Sequence, residues 1–113
     1  HAMAFTPKKT RSYEDIVRQT AIREWNRPLL QDTAIVLTVT FYRGVAASWS
    51  KRKTAEALAG ALLPIGRPDL DNLTKCLTDG MNGVVYLDDS AIVKTISEKR
   101  YALNPRVEIV LTW

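Results

Sequence analysis

The chain has 113 residues, a length that suits one compact domain and leaves no room for two. Apolar residues make up 46% and charged residues 25%, the balance of a globular chain with a core, which excludes a disordered tail. Cys76 is the single cysteine and His1 the single histidine, so an internal disulfide, a Cys/His zinc site and a Ser-His-Asp or Cys-His nucleophile are all excluded within one chain. Any catalysis must use carboxylates and lysines.

No apolar run approaches the roughly 18 residues of a membrane span, so a cytoplasmic protein without membrane contact is expected. His1-Ala2-Met3 reads as an expression leftover and is set aside from the fold. The net charge of +4 is uneven: residues 1–53 carry ten Lys/Arg against four Asp/Glu, and residues 54–113 carry six against eight. Such asymmetry suits a basic binding surface beside an acidic site.

Ser12 can cap a helix over about 13–25, with Asp15 complementing the dipole and Tyr13, Ile16, Val17, Ala21 and Trp25 forming one buried stripe, Arg18 and Arg23 facing solvent. Pro28 lies beyond its end. Residues 33–42 predict an interior strand, with Ile35, Leu37, Val39 and Phe41 on one face. Ser50 caps a short helix that runs to about Ala59, and Gly60 suits a left-handed exit. A second long helix is expected over about 69–81, because Leu70, Leu73, Leu77 and Met81 share one arc. Residues 84–86 read as a brief strand, followed by a turn at Leu87-Asp88-Asp89-Ser90 and strands over 91–103 and 106–113. Asn104-Pro105 makes those last two a hairpin, with Val107, Ile109, Leu111 and Trp113 pointing inward. The order helix, strand, helix, helix, strand, strand, strand predicts an α+β domain, a small mixed or antiparallel sheet with helices packed on one face.

The informative stretch is Arg67-Pro68-Asp69-Leu70-Asp71-Asn72-Leu73-Thr74-Lys75. Carboxylates are stable at a helix start, so Asp69 as N-cap and Asp71 as a first-turn acid is the plain alternative to chemistry. Asp88-Asp89 sits in a turn, where Asp is also common. The combination says more: Asp71, Lys75 and Asp79 share the helix face opposite the leucine stripe. If the Asp88-Asp89 turn packs near that helix start, several carboxylates converge, and like charges that close imply a bound cation. Oxygen-only ligands select hard ions such as Mg²⁺ or Mn²⁺, which suit phosphodiester hydrolysis, with Lys75 stabilising charge in the transition state.

Asp69-Leu70-Asp71-Asn72 with Lys75, then Asp79, Asn82-Gly83 and Asp88-Asp89-Ser90, resembles the RusA-type Holliday junction resolvases. So do Phe5-Thr6-Pro7-Lys8-Lys9-Thr10, Ser48-Trp49-Ser50-Lys51-Arg52-Lys53 and the stretch from Glu98-Lys99-Arg100-Tyr101 to Pro105-Arg106-Val107-Glu108, which looks like the family's closing hairpin. The resemblance implies a single nuclease domain over 4–113. It would be a Mg²⁺-dependent endonuclease (Mn²⁺ as substitute) that binds branched DNA as a homodimer, resolves four-way junctions by paired symmetric nicks and takes no small-molecule cofactor. It implies Asp69, Asp71 and Asp89 as metal-binding catalytic carboxylates, Asp89 ahead of Asp88, and Lys75 as the essential basic residue. Relatives start with a strand ahead of the Thr-Pro-Lys-Lys segment; here that strand is expected to be missing, leaving a sheet edge open. On that ground a non-catalytic phage DNA-binding or accessory protein is one alternative; a less selective metal-dependent nuclease of flaps or single strands is a further one.

Lys8, Lys9, Arg11, Lys51, Arg52 and Lys53 are the candidate phosphate contacts, against the reading of plain solvated flanks. Trp49, beside the basic triplet, either anchors its loop or stacks on an unpaired base. Trp25 and Trp113 read as core, and Cys76 as a partly buried small residue.

Overall fold

Ile35, Leu37, Val39 and Phe41 alternate with Val36, Thr38, Thr40 and Tyr42, so the segment Ile35–Gly44 can bury one face completely only as a strand, here β2. The structure is a computed structural model and describes residues 1–8 and 12–113. It places β2 inside a four-stranded mixed sheet of order β1-β4-β2-β3. Strand β1 is Ala2–Phe5, β3 is Ile92–Ala102 and β4 is Arg106–Thr112. β3 runs parallel to β2, while β4 is antiparallel to both β2 and β1. The fold is α+β, with a core shared by the inner face of the sheet and two helices, α1 (Tyr13–Glu24) and α3 (Leu70–Met81).

The expected closing hairpin does not form. β2 lies between β3 and β4, and the connection through Leu103-Asn104-Pro105 passes over the end of β2. Gly44 makes room for that crossing, since a Cβ there would sit 3.1 Å from Pro105 Cγ. The patterns of the two strands explain their places. β4 buries Val107, Ile109 and Leu111 and fits between two neighbours, whereas β3 carries Lys94, Glu98, Lys99 and Arg100 and serves as a charged edge. Trp113 falls past the end of β4 and is exposed, its ring against Trp25 at 5.5 Å with Arg27 over both.

Residues 1–3, set aside in the sequence, take part in the sheet: β1 begins at Ala2, ends directly ahead of Thr6 and pairs with β4. Met3 and Phe5 are buried and Ala4 faces outward, the period-two signature of a half-buried strand. The His1 amino group donates to Leu111 O at 2.9 Å, and its ring meets Trp25 edge-on. Residues 84–86 form no strand: Val85 and Tyr86 are fully buried, but the pairing of this stretch is limited to isolated bridges from Tyr86 to Leu30 and Asn82.

Helix α1 starts where the cap predicts, with Ser12 Oγ accepting from the Asp15 N–H at 3.2 Å. Arg18 is not given to solvent: its guanidinium donates to the carbonyls of Asp79 and Asn82, both at 3.1 Å, satisfying the end of α3. The two helices cross closely at Gly80, where an added Cβ would fall 2.8 Å from Glu14 O and against Val17. Helix α2 (Lys51–Leu58) is capped by Ser50 Oγ, which accepts from the Lys53 N–H at 3.1 Å. It is followed by Gly60 at φ +83°, the left-handed exit its sequence suggests. It rests against β3 away from the main core.

Candidate active site

Helix α3 buries Leu73, Leu77 and Met81, so its other flank, carrying Asp71, Thr74 and Lys75, is turned away from the core. That flank and β3 enclose a cleft of about 720 Å³, which Asp71, Thr74, Lys75 and Thr78 line from the helix and Asp89, Ile92, Thr95 and Ser97 from the strand and the turn before it. Asp89 enters because a single 3₁₀ turn, Asp89–Ala91, leads directly into β3. The Thr74 hydroxyl donates to Leu70 O at 2.8 Å and lies 3.1 Å from Ser97 Oγ, tying the helix to the strand.

The Lys75 ammonium donates to Asp79 Oδ1 at 3.0 Å and stands 3.8 Å from Asp89 Oδ2. The hydrogen bond from Lys75 to Asp79, followed by the charges of Asp79, Asp89 and Asp88, holds its pKa above the ordinary lysine value. Lys75 is therefore a fixed positive charge at neutral pH, on the same wall as Asp71. Beneath the cleft the Tyr86 hydroxyl donates to Thr78 O at 2.6 Å. Burial first, then the nearby Asp89, Asp79 and Asp88, pushes that phenol far above its usual range, so it is a neutral structural donor.

The three acids expected to converge are brought together only in part. Asp71 and Asp89 share the cleft, while Asp69 lines a neighbouring hollow with Arg67, Pro68 and Asn72. Asp69 precedes the first helical residue and has extended backbone (ψ 146°), whereas Asp71 lies inside the first turn of α3. Among the described residues no group of three or more His, Cys, Asp or Glu side chains is placed to hold a metal ion. Asp69 is the N-cap of α3, yet its side chain makes no capping hydrogen bond, unlike Ser12 and Ser50 on the other helices. Asp88 accepts from the Ser90 N–H at 3.0 Å and lines a separate hollow. Hydrogen bonds from Ser90 hold its pKa below the usual carboxylate value.

The donor set in the cleft still fits a hard divalent ion. Mg²⁺ is commonly held by one or two carboxylates, its other positions filled by water and substrate phosphate. Asp71 and Asp89 are two such carboxylates in an open cleft lined by neither histidine nor cysteine.

Among the basic candidates, Lys51, Arg52 and Lys53 form the exposed first turn of α2. Arg52 is paired with Glu56 at 3.3 Å, and Lys53 Nζ lies 4.2 Å from the centre of the Trp49 ring. Trp49 meets Tyr101 edge-on at 5.1 Å, the arrangement of a loop anchor. Lys8 is exposed just after β1. Lys9 and Arg11 lie outside the described residues. Arg43 and Lys99, which hold the loop ahead of α3, carry no signal in the sequence, because their partners are backbone carbonyls. The pairing of Asp79 is readable from its four-residue spacing to Lys75.

The chain is 34% identical over 108 residues to the uncharacterized protein YqaN of Bacillus subtilis (strain 168), an alignment that covers 93% of this chain and 75% of that one. The sequence model of the family described as endodeoxyribonuclease RusA matches residues 1–112. With a match that long, the chain belongs to the RusA endodeoxyribonuclease family.

Proposed function

We propose that this protein is a Mg²⁺-dependent, structure-selective endodeoxyribonuclease that resolves four-way DNA junctions by phosphodiester hydrolysis, working as a homodimer in the cytoplasm. One observation carries the reading: in a chain of this family, Asp71, Asp89 and Lys75 line a single open cleft. Asp71 and Asp89 are the main ligands in this reading. Asp69 is an auxiliary acid, since its carboxylate is free of a capping bond but faces the adjoining hollow. A bound Mg²⁺ or Mn²⁺ supplies Lewis acidity toward the phosphodiester. Lys75, kept protonated by Asp79 and Asp89, offsets negative charge that builds on the phosphate or leaving oxygen as the bond breaks. One cleft per chain and two strands to cut give a reason for two copies on one junction.

The basic turn of α2 and Lys8 provide a grip that does not depend on the ion. Replacing Lys51, Arg52 and Lys53 together by Ala should weaken junction binding at all sequences and flatten its salt dependence. Each phosphate no longer neutralised lowers the slope of log K against log [salt] by about 0.9. Arg52 is already engaged by Glu56, so the expected change is nearer two phosphates than three, or about 1.8 in slope. Anisotropy of a labelled junction in EDTA, titrated at several KCl concentrations, measures it. An unchanged slope would remove α2 from the interface.

The deciding assay compares Mg²⁺-dependent cleavage of a synthetic four-way junction, a flap and a linear duplex at equal salt. Preferential, paired nicking of the junction is expected. Equal cutting of the flap would favour a less selective nuclease, and binding without any cutting would favour an accessory DNA-binding protein.

A further inference from the structure

The start of α3 is held in an unusual way. The other two helices are fixed at their N-termini by a serine that accepts a backbone N–H, but Asp69 leaves its own helix uncapped by its side chain. The chain ahead of it is secured from outside. Lys99 on β3 donates to Gly66 O at 2.8 Å and approaches Pro68 O at 3.3 Å, and Arg43 on β2 donates to Arg67 O at 2.7 Å. Three successive carbonyls immediately before Asp69 are thus held to the sheet by two cations. Neither Lys99 nor Arg43 forms an ion pair among the described residues. Lys99 lines a hollow with Phe41, Leu73 and Pro68, so its position is set by packing as well as by hydrogen bonds. Further along β3, Ser97 meets Thr74 of α3, and Asp89 lies just before the strand begins. One edge strand therefore governs both walls of the cleft.

We propose that Lys99, assisted by Arg43, is a positioning residue for the acidic cleft: by holding the carbonyls of residues 66–68 it fixes the first turn of α3, and so sets Asp71 relative to Asp89. Charge-assisted hydrogen bonds to carbonyls are shorter and stronger than neutral ones, which suits them to this task. The inference rests on Asp71 and Asp89 holding the metal.

The test uses the full chain and Mn²⁺ as the probe, its affinity measured without DNA by calorimetry or by the paramagnetic resonance of free Mn²⁺. Lys99→Met keeps the length and apolar stem but removes the donors. It should weaken Mn²⁺ binding by about tenfold, the usual consequence of losing a partner that orients a ligand, while Lys99→Arg stays within about twofold of the wild type. Junction affinity in EDTA should change little. Unchanged Mn²⁺ affinity in Lys99→Met overturns the proposal. So does a fall in EDTA junction affinity as large as the fall in cleavage, which would make Lys99 a phosphate contact. Should Lys99→Met fail to fold, Arg43→Met gives the same readout with a smaller loss expected, and wild-type Mn²⁺ affinity there counts against the proposal. Asp71→Asn, measured alongside, separates the two ideas. If it binds Mn²⁺ normally, the two-carboxylate reading falls and the positioning role with it; if it loses Mn²⁺ while Lys99→Met does not, only the positioning role falls.

Discussion

Asp71→Asn is expected to abolish Mg²⁺-dependent nicking of a four-way junction while leaving junction binding in EDTA nearly intact. Asn keeps the shape of the side chain and a carbonyl oxygen but removes the charge that makes the cleft attractive to a divalent ion. A catalytic metal contributes several kcal/mol of transition-state stabilisation, so the loss should reach about 10²–10⁴-fold in rate. Binding is expected to survive because the candidate DNA grip, Lys8 and the first turn of α2, lies outside the residues that line the cleft. Single-turnover cleavage of a labelled junction with Mg²⁺, paired with anisotropy in EDTA, measures both quantities. An Asp71→Asn protein that cuts at the wild-type rate would refute the assignment of this cleft. A protein that loses cleavage and binding together would mean that Asp71 organises the fold.

Gly80→Ala should be the most damaging single added methyl in the molecule. At an exposed helical position the change would help, by roughly 0.5–1 kcal/mol of backbone entropy. Here the new Cβ meets Glu14 O at 2.8 Å and collides with Val17, itself fully buried. Overpacking of that kind costs about 1–3 kcal/mol, and because one obstacle is helix backbone the upper end is expected, well above the propensity gain. Urea denaturation should show a lowered midpoint with an unchanged slope. A midpoint at or above that of the wild type would show that α1 and α3 can move apart freely.

Elements that depend on neighbouring residues were legible in the sequence. Ser12 and Ser50 marked the starts of α1 and α2, Gly60 the exit of α2, the leucine spacing α3, and the alternation in Ile35–Gly44 the interior strand. The family motif was legible for the same reason, since Asp69, Asp71 and Lys75 sit within two turns of one helix. What failed was information held between distant segments. Asn104-Pro105 signals a turn equally well whether the chain pairs back on β3 or steps across β2, and only Gly44, far upstream, leaves space for the step. Residues 84–86 have the apolar, β-branched look of a strand, but their burial beneath α3 satisfies the same pattern. Met3 and Phe5 alternate in too short a segment to stand out without β4 beside them. Arg18, Arg43 and Lys99 look like surface charges until the carbonyls they hold are in view.

The strand order also bears on how the chain reaches its native state. Among the described strands, none pairs with the next one along the chain as a hairpin. β2 and β3 are neighbours but parallel, so that Ile35 meets Ile92 only after a crossover that contains α2 and α3, while Tyr42 pairs with Arg106 and Ala2 with Val110. No local ribbon can serve as a seed, and each pairing must first overcome the entropy of closing a long loop. High contact order of this kind places a domain among the slower two-state folders. Helices α1 and α2 can form early from their own serine caps, but the cleft exists only once the edge strand that bears Lys99 and follows Asp89 has docked beside β2.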